Sequence, residues 1–187
     1  MKKITMKLAV ITALSFSSSL LAEQIVSERS NYQGHRIGLG ISSGTIGDID
    51  GAESIDIGNG IKIEYGYDLN RIFGFNASLD KNKDDMNLYG SRYEYDLSSF
   101  KVDTDIGYAF FFDNFTVKPY GAIGLAHIKE KNTINDLSYT ASENALLLGM
   151  GVRATFDFGM YVDLRTNYMI LEYIDLDQLS LTVGYKF

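Results

Sequence analysis

From residue 23 onward the chain alternates between apolar and polar positions with a period of two. In Leu179–Phe187, Leu179, Leu181, Val183, Tyr185 and Phe187 fall on one face, opposite Ser180, Thr182, Gly184 and Lys186. Ile61, Ile63, Tyr65, Tyr67 and Leu69 oppose Lys62, Glu64, Gly66 and Asp68. Phe73, Phe75, Ala77 and Leu79 oppose Gly74, Asn76, Ser78 and Asp80, and Phe100 to Phe110 sets its even positions against Lys101, Asp103, Asp105 and Gly107. Leu146 to Ala154 opposes Gly149, Gly151 and Arg153, and Val162 to Ile170 opposes Asp163, Arg165 and Asn167. Two segments are less regular. Residues 36–43 place Ile37, Leu39 and Ile41 opposite Gly38, Gly40 and Ser42; residues 117–128 place Val117, Ile123 and Leu125 opposite Lys118, Tyr120 and Gly124. Period two predicts strands, eight in all. No run of 18 apolar residues offers a helical membrane span.

The polar face predicts an all-β, eight-stranded, antiparallel, transmembrane up-and-down barrel. Small residues alternate there with charges of both signs, which suits a narrow interior filled by side chains. Ten or eleven residues per strand at about 3.3 Å each, tilted by about 40°, cross an apolar band of roughly 25 Å. Lipid contact requires closure, because an open edge leaves peptide groups unpaired. Short turns are expected at 70–72, 112–114 and 157–159, and longer loops at 44–59, 81–97, 129–143 and 171–177. Aromatic residues flank each short turn: Tyr67 and Phe73; Phe110 to Phe112 and Phe115; Phe156 and Phe158 with Tyr161. With Tyr185 and Phe187 they are expected to form a girdle at the periplasmic interface.

Residues 1–22 change the picture at the N-terminus. Lys2, Lys3 and Lys7 precede the apolar stretch Leu8–Phe16 and a Ser-rich run to Ala22. This is a signal-peptide pattern, cleaved after Ala22. A short periplasmic segment over 23–34 and a barrel over 35–187 are expected to follow. Cleavage removes three Lys and no acid, moving the formal charge from −7 to −10. An acidic chain is a poor partner for nucleic acid. The absence of Cys excludes disulfides, thiol catalysis and Cys-based metal sites.

The signal peptide, the eight alternating segments and the final Leu179–Phe187, with Tyr185 two before Phe187, resemble the outer-membrane β-barrels of Gram-negative bacteria. The likeness is to the small OmpA-like and OmpX/Ail-like barrels of the porin family, and it covers residues 35–187. Lys118-Pro-Tyr-Gly-Ala-Ile-Gly124 is similar to a stretch common in them. No peptidoglycan-binding domain is expected after the barrel. The resemblance implies location in the outer membrane, contact with its lipid and lipopolysaccharide, and delivery by the barrel assembly machinery, which would read Tyr185 and Phe187. It also implies a structural or adhesive role, with host, phage or neighbouring-cell ligands.

Candidate chemistry is sparse. Lys62, Glu64, Asp68, Lys101, Asp103, Asp105, Lys118, Arg153, Asp163, Arg165 and Lys186 are expected to face the lumen. There they would either fill it as ion pairs or line a small-solute pore, or a passage for a small apolar molecule. Tyr89, Arg92, Tyr93 and Tyr95 suit a protein-binding loop. The alternation of Tyr93, Tyr95 and Leu97 equally fits strands running on above the membrane. Asp48, Asp50, Glu53 and Asp56 lack the spacing of a calcium loop. Of two His, His35 starts the first strand, and His127, though near Glu130 and Ser138, has no Ser two residues away on its strand as a lipid-deacylating barrel does. No catalytic residue, metal site or cofactor is expected.

Overall fold

The structure, a computed structural model, describes residues 32–47, 55–88, 91–134, 137–171 and 175–187. The segment read as a signal peptide lies outside them. The alternating segments form β1 (Gly34–Gly47), β2 (Ile55–Asp68), β3 (Phe73–Leu88), β4 (Ser91–Gly107), a two-residue β5 (Phe110–Phe111), β6 (Phe115–Ile134), β7 (Leu137–Phe156), β8 (Met160–Ile170) and β9 (Asp175–Lys186). Each long strand pairs antiparallel with its neighbour in the chain, β4 with β6 across the short β5. β9 returns to β1, with Ile37 opposite Tyr185. The eight long strands thus close a barrel, and no long strand is left as an open edge along its whole length.

The pleat then sorts the side chains. Leu39, Ile61, Leu125 and Leu179 point outward and are more than half exposed. Arg36, Lys62, Glu64, Asp105, Arg153 and Asp163 point inward and are buried. Apolar surface outside and charge inside is the arrangement that lipid imposes on a barrel.

Three short connections link strands at one end. Between β2 and β3, the Asn70 side-chain oxygen accepts from the backbone N–H of Ile72 (2.8 Å) and of Phe73 (2.9 Å). Between β7 and β8, Gly159 adopts φ +95°, which favours glycine. At 112–114, Phe112 N–H donates to the Phe115 carbonyl (2.9 Å). The strand expected through Phe110 ends early, at Gly107. The reason lies in its donors: the N–H groups of Gly107 and Ala109 turn to the carbonyls of Ile72 and Arg71 in the neighbouring turn.

The expected long loops are mostly strand. β3 and β4 stay paired to Leu88↔Ser91, and β6 and β7 to Ile134↔Leu137. Residues 81–97 and 129–143 therefore form hairpins rather than loops. The smaller gaps at 48–54 and 172–174 lie outside the described residues. Backbone pairing continues past the membrane because it needs no apolar face, and a hydropathy pattern does not register it.

Candidate functional site

The inward faces of the strands assemble an ionic core. At its centre Arg153 donates through Nε to Asp163 (2.7 Å) and reaches Asp105 (3.4 Å) and Asp68 (3.5 Å) through Nη1. Its guanidinium lies over the Tyr120 ring, 4.9 Å from the centroid, while the Tyr120 hydroxyl donates to Asp163 (2.7 Å). Arg36 crosses from the opposite wall to Asp68 (3.1 Å), Glu64 (3.6 Å) and Asp105 (3.6 Å). Lys118 pairs with Asp105, and Lys186 with Asp68 (2.8 Å).

Further up the lumen, Lys62 pairs with Glu64 (2.6 Å), Arg165 with Asp103 (2.8 Å) and Lys101 with Asp80 (2.8 Å). Gln178 accepts from Lys101. Six carboxylates and six cations are buried here, so the interior carries almost no net charge. Charges in such a space need partners, because burying an unpaired ion is far costlier than burying a matched one.

An apolar cluster sits directly above. Leu97, Ala126, Ile128, Ala145, Leu147, Met169 and Leu176 are all buried and in contact. Ala126 lies opposite Lys101, and Met169 opposite both Leu147 and Leu176, so the cluster begins where the ionic core stops. Tyr95 packs against it from above the apolar band. Burial and the nearby Glu130 carboxylate push its hydroxyl well above the usual phenol range, which keeps it protonated.

The rim at the short turns is aromatic. Phe112 stacks on Phe115 and Phe156 on Phe158. Tyr185 and Phe187 are exposed on the outer face. His35 stacks on Phe187, and its Nδ1 lies 2.7 Å from the Tyr65 hydroxyl. Backbone bonds in both directions tie His35 to Phe187. Tyr161 does not belong to this girdle, contrary to expectation. It is fully buried in the lumen, under the Arg36 guanidinium and with its hydroxyl 3.5 Å from Glu64. Its neighbours Met160 and Val162 take the outward positions, which leaves Tyr161 inward by parity.

The loop candidates divide. Tyr89 lies outside the described residues; Arg92 and Tyr93 fall within β4, opposite Asn87 and Met86. Tyr95 faces the lumen side. Of the acidic loop, Asp48, Asp50 and Glu53 lie outside the described residues, and Asp56 caps its own turn, accepting from Gly58 N–H (2.8 Å). His127 is exposed on the outer face, with Asn144 Oδ1 at 2.9 Å from its Nδ1. Among the described residues no group of three or more His, Asp or Glu is placed to hold a metal ion.

Arg36, Asp80 and Gln178 join the lumen network without being among the charges expected there from the sequence, although each lies on the inward side by parity. The apolar cluster was recoverable from Leu97, Ile128, Leu147, Met169 and Leu176, five large apolar residues in the inward phase of their strands.

Four strands rise higher than the others. β3, β4, β6 and β7 span 16 to 20 residues, against 11 to 14 for the remaining long strands. The β7–β8 pairing begins at Leu146↔Ile170, so residues 137–145 have a strand neighbour on one side only among the described residues. Ser138, Tyr139, Thr140, Ala141 and Ser142 are exposed along that edge.

The sequence profile of the outer membrane protein beta-barrel domain family matches residues 8–187. Solved structures share the fold. The attachment invasion locus protein Ail of Yersinia pestis aligns with a TM-score of 0.62 at 21% identity, covering 83% of this chain and 99% of Ail. The same protein in complex with the heparin analogue sucrose octasulfate gives 0.63 at 19%, covering 83% and 99%. Neisserial surface protein A gives 0.63 at 19%, covering 82% and 97%. No curated protein matches the chain by sequence.

Proposed function

The chain belongs to the outer membrane protein beta-barrel domain family, and on that premise we propose that it is a non-conducting barrel whose role is structural and adhesive. Its location is the outer membrane. The carrying observation is the four-stranded extension of β3, β4, β6 and β7 above the apolar band. Its exposed edge at 138–142 holds Ser, Thr, Tyr and Ala and no Lys or Pro. Edges that avoid association are blunted by such residues. An edge without them favours addition of an extended segment from another protein, with backbone bonds supplying affinity.

The test is to trim both hairpins at paired positions. Residues 84–95 and 130–141 are each replaced by Asn-Gly, which suits a tight hairpin turn. The trimmed chain should keep heat-modifiable gel migration, the mark of a closed barrel, while cells displaying it lose attachment to surfaces or neighbouring cells. Equal attachment by trimmed and full-length chains would sink the adhesive role.

The filled interior leads to a second expectation. On this reading the ionic core below and the apolar cluster above fill the lumen, and the refolded chain should be silent in planar bilayers. Steady conductance that changes on Asp103→Asn or Arg165→Gln would establish a pore instead.

A further inference from the structure

The rim above the apolar band is charged, and its sign changes from one side of the barrel to the other. On β3, Lys81 and Lys83 follow Leu79 in the outward phase; on β6, Lys129 and Lys131 follow Leu125. Registers join them into a ledge. Lys81 lies opposite Ser98 and Ser98 opposite Lys129, while Lys83 lies opposite Asp96 and Asp96 opposite Lys131. Asp96 is the one carboxylate among the described residues of this ledge, and it pairs with Lys83 at 3.1 Å. On β9, Asp177 and Asp175 follow Leu179 in the outward phase. Thr45 of β1 lies opposite Asp177 on one side and Asp56 of β2 on the other, so an acidic row spans β9, β1 and β2. No described outward residue at that level on these three strands is a cation.

The apolar band beneath repeats this sidedness in shape. Under the lysines, an open groove of about 460 Å³ runs across β2, β3, β4 and β6. Small side chains there, Ala77 and Thr104, lie among the larger Tyr65, Phe75, Val102 and Leu125. Under the acids stand the most exposed aliphatic side chains of the described barrel, Leu39 at 67%, Ile61 at 67% and Ile41 at 63%. The depths agree. Ala77 lies two outward positions below Lys81, and Leu181, the partner of Ile41, lies two below Asp177.

We propose that copies of this chain associate side by side in the membrane, the lysine ledge and groove of one against the acidic row and aliphatic ridge of the next. The lipid-facing band holds every copy at one depth and in one orientation, so rim meets rim and band meets band. The acidic side centres on β1 and the basic side on β4, three strands away in a ring of eight. A two-fold pair through either ledge would set like charge against like, whereas a head-to-tail contact sets opposite charges together. Each contact leaves one ledge free at either end, so the copies form rows. One exposed ion pair contributes little; here the shared depth lets several form at once above an apolar contact. The contact lies in the plane of the membrane and does not depend on the adhesive role.

The test uses the full chain refolded in zwitterionic phosphatidylcholine vesicles, with donor and acceptor dyes on separate copies. The chain has no Cys, so Asn114→Cys, in a short turn away from both ledges, takes the dye. Energy transfer should exceed that of randomly spread copies and should fall when salt is added. Lys81→Glu/Lys129→Glu/Lys131→Glu alone should lower the associated fraction at least fivefold, and so should Asp175→Lys/Asp177→Lys alone. An equal mixture of these two variants should recover most of the transfer, because the ledges of one then oppose those of the other in sign. Ala77→Trp fills the groove, leaves every charge in place and should also lower the transfer. Heat-modifiable migration establishes first that each variant barrel is closed. Full transfer by either reversed variant alone or by Ala77→Trp would overturn the proposal, as would a mixture no better than its components. Transfer no greater than random for the unaltered chain would leave the lysines to anionic lipid and overturn it as well.

Discussion

Arg153→Met should lower the stability of the barrel by about 3–5 kcal/mol, the range for removing one partner of a buried ion pair. The side chain touches Asp163, Asp105 and Asp68 and covers the Tyr120 ring. Methionine fills similar volume, so the loss comes from charge rather than from a cavity. Asp105 and Asp68 retain Arg36, Lys118 and Lys186. Asp163 keeps only the Tyr120 hydroxyl among the partners described here. Adding Asp163→Leu should therefore recover part of the loss, since an ion pair replaced as a unit by apolar side chains is often neutral. The chain has no Trp, so unfolding from lipid vesicles in urea is best followed by far-ultraviolet circular dichroism. A midpoint shift worth less than about 1 kcal/mol would mean that water, not protein, supports Asp163.

Gly184→Val should prevent closure altogether. Gly184 lies opposite Gly38 where β9 meets β1, and the Tyr161 ring lies across both. A Cβ at Gly184 would overlap the Ile37 carbonyl oxygen and the Tyr161 ring; at Gly38 it would overlap the Tyr161 hydroxyl. The carbonyl is backbone and belongs to the pairing that seals the barrel, so it has little room to yield. Tyr161 cannot swing away without uncovering the Arg36 guanidinium. The variant should remain unfolded on gels run without heating and be degraded by added protease. Gly121→Val is the matched control, because a Cβ there meets nothing closer than 3.9 Å and points outward. A Gly184→Val barrel that migrates as folded would show that the seam has slack.

Most of the architecture was legible in the chain because lipid imposes one rule on every strand. Ile61, Ile63 and Tyr65 had to face outward together, and that fixed Lys62 and Glu64 inward. The same rule hid what departs from it. Leu147 and Met169 are apolar in the inward phase, and no hydropathy rule separates a lumen plug from noise. Tyr161 was misplaced because its type suggested an interface, although parity on β8 already turned it inward. The hairpins at 81–97 and 129–143 were invisible for a third reason. Outside the bilayer, neither face of a strand has to be apolar, so polarity no longer marks where pairing ends. Which inward charges meet was beyond the sequence, since Arg153 and Asp68 lie on strands far apart in the chain.

Seven of the eight seams join strands that follow one another, and only β1–β9 joins the two ends of the barrel sequence. That asymmetry sets an order of events. Local hairpins close short loops at small entropic cost, whereas the last seam must bring together segments separated by nearly the whole barrel. Until β9 exists, β1 and β8 each present an unpaired edge that hydrocarbon does not tolerate. A chain interrupted before its final strand is thus excluded from the bilayer, and insertion doubles as a check that synthesis has run to completion.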